Sequence, residues 1–128
     1  MTASRPSLDR HNAMPFLRIQ TNIDLASEDK TRLAQACSHL VSELLGKSKD
    51  FVQVIVEGHQ SMVFGDSTEP TVFVELRSLG LNTVGLSPLA AEITRVLRER
   101  LDVDPKRVFL NFFDLSRTHW GWNGKTFE

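Results

Sequence analysis

Few side chains in this sequence combine the type and spacing that chemistry needs. His11, His39, His59 and His119 show no metal-ligand spacing among themselves. The single cysteine, Cys37, can form neither an internal disulfide nor a cysteine-based zinc site. No phosphate-binding glycine loop occurs, and Gly65, Gly80 and Gly85 read as loop and turn residues. What remains is Met14-Pro15. If the chain starts at that methionine and loses it, Pro15 becomes a secondary amine on a rigid ring. A terminal α-amine titrates at about 7.7–8.0. An apolar pocket or a nearby cation lowers it, because each disfavours the charged form. A base of that strength suits removal of a proton beside a carbonyl, and its return. The residues alone leave a second reading open, in which Pro15 merely opens an edge strand. While residues 1–14 stay attached, the nitrogen is a tertiary amide without proton chemistry.

The elements that would position Pro15 follow from periodicity. Residues 15–21 alternate, with Leu17 and Ile19 on one face and Arg18 and Gln20 on the other, which predicts a strand. Ser27 is the expected cap of a helix whose first turn carries Glu28 and Asp29 and whose stripe is Leu33, Cys37, Leu40, Val41 and Leu44, with Gly46 as its stop. Residues 51–57 read as a β-branched strand. The order then repeats: a strand over 71–79, a helix capped at Ser87-Pro88 with the stripe Leu89, Ile93, Val96, Leu97 and Leu101, a turn at Asp104-Pro105, and a strand over 107–113. A loop over 58–70 joins the halves. Helical crossovers favour parallel pairing within each half. The expected fold is α+β: two βαβ repeats forming one four-stranded sheet, with two helices on one face. Phe73, Phe109, Leu110, Phe112 and Phe113 cannot all lie under two helices, since strand neighbours point oppositely. Association with further copies of the chain is the expected cover for the remainder.

With 128 residues, the chain fits one domain. It carries 15 Lys+Arg against 16 Asp+Glu, so it lacks the positive excess of a nucleic-acid or membrane-surface binder. Its apolar runs fall far short of the roughly 20 residues that span a bilayer. One cysteine suits a reducing, cytoplasmic compartment. Residues 1–13 have no apolar period and no hydrophobic region of a secretory signal. They read as a disordered extension, or as an upstream start or addition ahead of an initiator Met14, with residues 14–128 as the domain.

Several stretches resemble the macrophage migration inhibitory factor family of the tautomerase superfamily: Met14-Pro15, Gly46-Lys47, MVFGDSTEP at 62–70, RSLG at 77–80, RVFLNFFD at 107–114 and GWNGKTF at 121–127. The resemblance implies a homotrimer of inward-facing sheets with three sites, each between two subunits. It implies cofactor-free tautomerase activity on small aromatic keto acids such as phenylpyruvate and on dopachrome-like compounds. It assigns the base to Pro15 and carboxylate binding to Lys47. Ser78 and Leu79 match a Ser–Ile pair lining the pocket, and Asn111 an asparagine from the neighbouring subunit. Phe16, Phe51, Trp120, Trp122 and Phe127 fall at further pocket positions. Phe109 stands where well-known members carry tyrosine; the chain has no tyrosine at all. The ring is kept and the hydroxyl lost, which bears on substrate preference. A Cys-x-x-Cys redox activity claimed for the family is excluded, because that segment reads Thr71-Val72-Phe73-Val74. The alternative function is a non-catalytic, cytokine-like protein on the same trimer, with a protein receptor as partner and export without a signal peptide.

Overall fold

The computed structural model describes residues 14–81 and 85–127; the expectations for residues 1–13 and His11 lie outside them. In chain order the elements are β1 (Phe16–Thr21), α1 (Ser27–Leu45), β2 (Gln53–Glu57), β3 (Val72–Leu79), α2 (Leu86–Leu101), β4 (Val108–Leu115), β5 (Gly121–Trp122) and β6 (Lys125–Thr126). The main sheet has the order β2-β1-β3-β4. β1 pairs parallel with β2, Phe16 beside Gln53, and β3 pairs parallel with β4, Val72 beside Val108. The inner strands are antiparallel, Phe16 opposite Arg77 and Thr21 opposite Val72. Each βαβ unit therefore contributes one parallel pair, as the crossover argument requires, and both helices cover one face.

The core lies between that face and the helices. Leu17 and Ile19 of β1 and Val72, Val74 and Leu76 of β3 meet Leu33, Cys37 and Val41 of α1 and Leu89, Ile93 and Leu97 of α2. Each such aliphatic side chain contributes about 1.5–3 kcal/mol by leaving water. Leu44, expected on the α1 stripe, is instead 38% exposed.

Element ends differ from expectation in informative ways. Ser27 is the first residue of α1, not its cap; Ala26 holds the cap position in extended backbone and no side chain caps it. The first-turn carboxylates of Glu28 and Asp29 complement the free N–H groups instead. α2 begins at Leu86 after Gly85, so Ser87 and Pro88 lie inside its first turn. Proline is tolerated there because first-turn N–H groups have no intrahelical acceptor. β2 starts late because Lys49–Phe51 form a 3₁₀ turn, in which the Asp50 N–H donates to the Ser48 side chain. A hairpin, β5–β6, was not anticipated; its turn is Asn123-Gly124, both with positive φ, 55° and 79°.

The face away from the helices is mixed. Leu110 and Phe112 join the core, while Phe73, Phe109 and Phe113 occupy the other side of their strands. Arg18 bridges to Glu57 at 2.9 Å, Arg77 lies 3.7 Å from Glu75, and the Arg77 guanidinium sits 4.3 Å over the Phe113 ring. The hydrogen bond to Arg18 holds the Glu57 carboxyl below its ordinary range. This charged ladder makes the open face more polar than its phenylalanines alone suggest. Among the described residues, no helix is long and apolar enough to cross a membrane.

Candidate active site

Pro15 is buried at the head of β1, and its carbonyl accepts from the Gln53 N–H at 3.0 Å, which extends the β1–β2 ladder to it. Beside it opens a cavity of about 410 Å³, within the roughly 300–1,000 Å³ common for small-molecule sites. Phe16, Phe51, Trp120 and Trp122 line it together with Met14 and Pro15. The aromatic wall is ordered by ring contacts: Trp122 meets Phe51 edge-on at 5.6 Å and stacks on Phe127 at 6.2 Å with 7° between planes. The short β5–β6 hairpin aims Trp122 at this cluster, and the Phe127 N–H closes it by donating to the Arg117 and Trp120 carbonyls. Phe127 and Leu79 are buried with Met14, and Phe51, Leu115 and Trp120 pack around them.

Ser78 and Leu79 end β3 near Pro15, since the register places Phe16 opposite Arg77. Ser78 is fully buried, and its hydroxyl donates to the Leu79 carbonyl at 3.1 Å. Lys47 is fixed in backbone by the end of α1. Gly46 is left-handed at φ 64°, the Gly46 N–H donates to Glu43 and the Lys47 N–H to Ser42, a Schellman closure, and the Ser42 hydroxyl donates to the Lys47 carbonyl. No carboxylate pairs with the Lys47 ammonium among the described residues. Its side chain does not line the cavity.

Two further expected site residues, besides Lys47, lie away from the Pro15 cavity. Phe109 pairs with Phe73, which in turn faces Gln20, at the opposite end of the sheet from Pro15. It is 60% exposed and packs on Phe64 at 4.6 Å, on the edge of a second cavity of about 410 Å³. Asn111 is exposed at mid-sheet beside Glu75. Within one chain, then, Pro15, Phe16, Phe51, Leu79, Trp120, Trp122 and Phe127 converge, while Lys47, Phe109 and Asn111 do not line the Pro15 cavity.

Sequence reasoning missed Asp50 and Gln53, which also line the Pro15 cavity. They arrive there through the 3₁₀ turn and the Gln53–Pro15 backbone bond, and no local residue pattern announces that. It also missed Arg107, whose guanidinium donates to the carbonyls of Pro70, Phe64, Ser67 and Glu69 and lies 5.1 Å over the Phe64 ring. Arg107 thereby holds the 58–70 loop so that Phe64 backs Phe109. Among the described residues no cluster of histidine, cysteine or carboxylates could hold a metal. Cys37 is fully buried, and burial pushes its thiol up to about 11, which removes it as a nucleophile.

Known proteins share this fold. The family profile of macrophage migration inhibitory factor (MIF) matches residues 14–128. The macrophage migration inhibitory factor homolog of Brugia malayi is 33% identical over 115 residues, covering 89% of this chain and 99% of its own length. Macrophage migration inhibitory factor of Xenopus laevis is 32% identical over 118 residues, with the same coverage of 89% and 99%. Among solved structures, the homologue from Prochlorococcus marinus superposes with a TM-score of 0.82 at 30% identity, covering 88% of this chain and 99% of that one. The factor from Trichinella spiralis gives 0.78 at 27%, with coverage of 88% and 99%. Two βαβ units sharing one mixed sheet, with a proline heading an inner strand, define a tautomerase-superfamily fold. The chain belongs to the macrophage migration inhibitory factor family.

Proposed function

We propose that this chain, when it begins at Pro15, is a cofactor-free keto–enol tautomerase acting on small aromatic keto acids of the phenylpyruvate type, with dopachrome-like compounds as a second class, and that it works as a homotrimer. The Pro15 nitrogen takes the proton from the carbon beside the carbonyl. The C–H electron pair forms the C=C bond, the C=O pair moves to oxygen, and that oxygen takes up a proton to give the enol; the reverse sequence yields the keto form. Burial disfavours the charged form of the amine and so favours the neutral base. Lys47, held at the end of α1 and outside the cavity wall of one chain, is the cation that the family resemblance assigns to the substrate carboxylate. Phe16, Phe51, Trp120, Trp122 and Phe127 hold the aromatic ring. A neighbouring subunit supplies Asn111 and Phe109, in keeping with their distance from Pro15 within one chain.

The observation that carries this reading is the placement of Pro15: buried at the head of an inner strand, against an aromatic-lined cavity of about 410 Å³. The match of the family profile to residues 14–128 supports a start at Met14 followed by its removal. Intact mass and turnover of the natively expressed protein test it together. A mass for residues 15–128, phenylpyruvate enolisation, and loss of roughly a hundredfold in Pro15→Gly are the expected results. A protein that begins at Pro15 and turns over no keto acid would refute the reading, and light scattering at the mass of one chain would refute the trimer. A second reading is favoured by the packing of Met14 in the same cavity: with Met14 retained, the assembly is a non-catalytic protein whose partner is a protein receptor.

A further inference from the structure

The aromatic wall beside Pro15 ends in a hairpin too short to hold itself. β5 and β6 share two residue pairs, Gly121 with Thr126 and Trp122 with Lys125. An isolated two-stranded ribbon is at best marginal in water. Trp122 lines the cavity but is 40% exposed, and it is not part of the apolar cluster that buries Met14, Leu79 and Phe127. Ring contacts therefore orient its indole: Phe51 edge-on at 5.6 Å, and Phe127 at 6.2 Å with 7° between planes. Phe127 has in turn a contact that burial alone does not supply. The Arg117 guanidinium lies 5.8 Å over its ring, inside the roughly 6 Å at which a cation is drawn to an aromatic face. Arg117 is half-buried in a 3₁₀ turn, Arg117–His119, between β4 and β5. Its carbonyl accepts the Phe127 N–H at 3.1 Å and the Trp120 N–H at 3.4 Å.

We propose that Arg117 is a positioning residue for aromatic ligands of the Pro15 cavity. It does not line the cavity and acts through two rings. The cation fixes the face of Phe127, Phe127 keeps Trp122 parallel to itself, and Trp122 presents a fixed indole to the ring of the ligand. The inference rests on reading the Pro15 cavity as the ligand site. It assigns Arg117 to affinity and not to proton transfer, because a wall that is already ordered does not have to be ordered by the ligand. Side chain and backbone contribute separately. Replacing the guanidinium leaves both hydrogen bonds to the residue's carbonyl in place, so the hairpin stays closed while the rings lose their cation. A cation over a partly exposed ring is worth about two- to fivefold in an equilibrium constant, which sets the size of the expected effect.

The test uses the natively expressed protein as wild type, Arg117→Ala, Arg117→Met and Arg117→Lys. Methionine keeps an unbranched stem without charge, and lysine keeps the cation. Near-UV circular dichroism and acrylamide quenching report the setting of Trp120 and Trp122, the chain's two tryptophans, and need no activity. The near-UV band is expected to weaken and quenching to rise in Arg117→Ala and Arg117→Met, with Arg117→Lys recovering most of both. Calorimetric titration with phenylpyruvate gives affinity with or without turnover. Affinity should fall about two- to fivefold in the alanine and methionine variants. In turnover KM should rise by the same factor, with kcat within about twofold of wild type. Thermal unfolding confirms that the variants fold. Unchanged tryptophan signals in Arg117→Ala would overturn the proposal. So would wild-type behaviour of Arg117→Met, since the stem and not the charge would then hold the ring, and so would a fall in kcat at constant KM. Phenylpyruvate that binds without turnover, and binds more weakly to Arg117→Ala, would uphold the positioning role and count against the tautomerase reading. Turnover by wild type with an unchanged KM in Arg117→Ala would do the opposite.

Discussion

Arg107→Ala should loosen one end of the molecule by a predictable amount. The guanidinium donates to four carbonyls of a single loop, at 2.9 Å to Pro70, 3.1 Å to Phe64, 3.2 Å to Ser67 and 3.0 Å to Glu69. Hydrogen bonds from a charged group are worth about 1.5–3 kcal/mol each when isolated. They do not sum here. Arg107 is half-buried, the loop is largely exposed, and water re-solvates the carbonyls once the guanidinium is gone. A second anchor also survives, since the Asn22 amide donates to Thr68 and Glu69 and accepts from the Thr71 N–H. The cation over Phe64 adds about 0.5–1 kcal/mol. The net loss should be about 2–3 kcal/mol. Arg107→Lys should recover less than half of it, because an ammonium cannot fan donors to four separated oxygens. Urea unfolding followed by tryptophan fluorescence gives the stability. Hydrogen exchange gives the location, through the reciprocal pair of Phe64 and Ser67, whose amides bond each other's carbonyls at 3.0 and 3.1 Å. A change below about 0.5 kcal/mol, with both amides still protected, would refute the clamp.

Further expectations follow from single residues. Burial raises the Cys37 thiol from an ordinary 9.0 to about 11. Above pH 9.0 the unfolded chain therefore releases this proton first, and stability falls between pH 9.0 and about 11. The loss should be about 2–3 kcal/mol in unfolding curves taken across that range, and Cys37→Ala should remove that slope. The same thiol should resist alkylation at pH 8 until the protein unfolds. Ile93, fully buried between α2 and the sheet, should cost about 2–5 kcal/mol as Ile93→Ala in chemical denaturation. Gly46→Ala should cost about 1 kcal/mol from left-handed strain at φ 64° alone, because nothing lies within 4 Å of an added Cβ. Asp102→Gly, at φ 55° after α2, should gain a similar amount, and thermal melts read both.

The parts of the fold legible in the sequence were those carried by burial on a period. Leu17 and Ile19, Val72, Val74 and Leu76, and the stripe at Leu33, Cys37 and Val41 are core residues because one face of each element meets the other layer. Helix starts were less legible. A serine at a helix boundary serves as cap or as first residue with equal local logic, and the wider packing decided against Ser27 and Ser87. The β5–β6 hairpin had a signal that went unread, Asn123-Gly124, the pair that tolerates two positive φ angles in a tight turn. At the site, the aromatic residues near Pro15 were found through family resemblance. Asp50, Gln53 and the Met14 packing were not, because backbone pairing and a buried side chain bring them in rather than any pattern along the chain. Arg107 was hidden for a related reason: its partners are carbonyls 37 to 43 positions away, which any residue would provide.

The two βαβ units leave a cavity at the head of each inner strand, one beside Pro15 and one beside Thr71 and Val72, each of about 410 Å³. A proline stands at or just before both heads, Pro15 ahead of β1 and Pro70 two residues ahead of β3. Their prospects still differ completely. The nitrogen of Pro70 is committed to a peptide bond for as long as the polypeptide is continuous, so no substitution around it yields an amine. Pro15 escapes that fate only if synthesis or trimming makes it a beginning. An internal repeat can copy strands, helices and hollows, but a polymer has a single start, and a reactive group that depends on being first cannot be copied along with them.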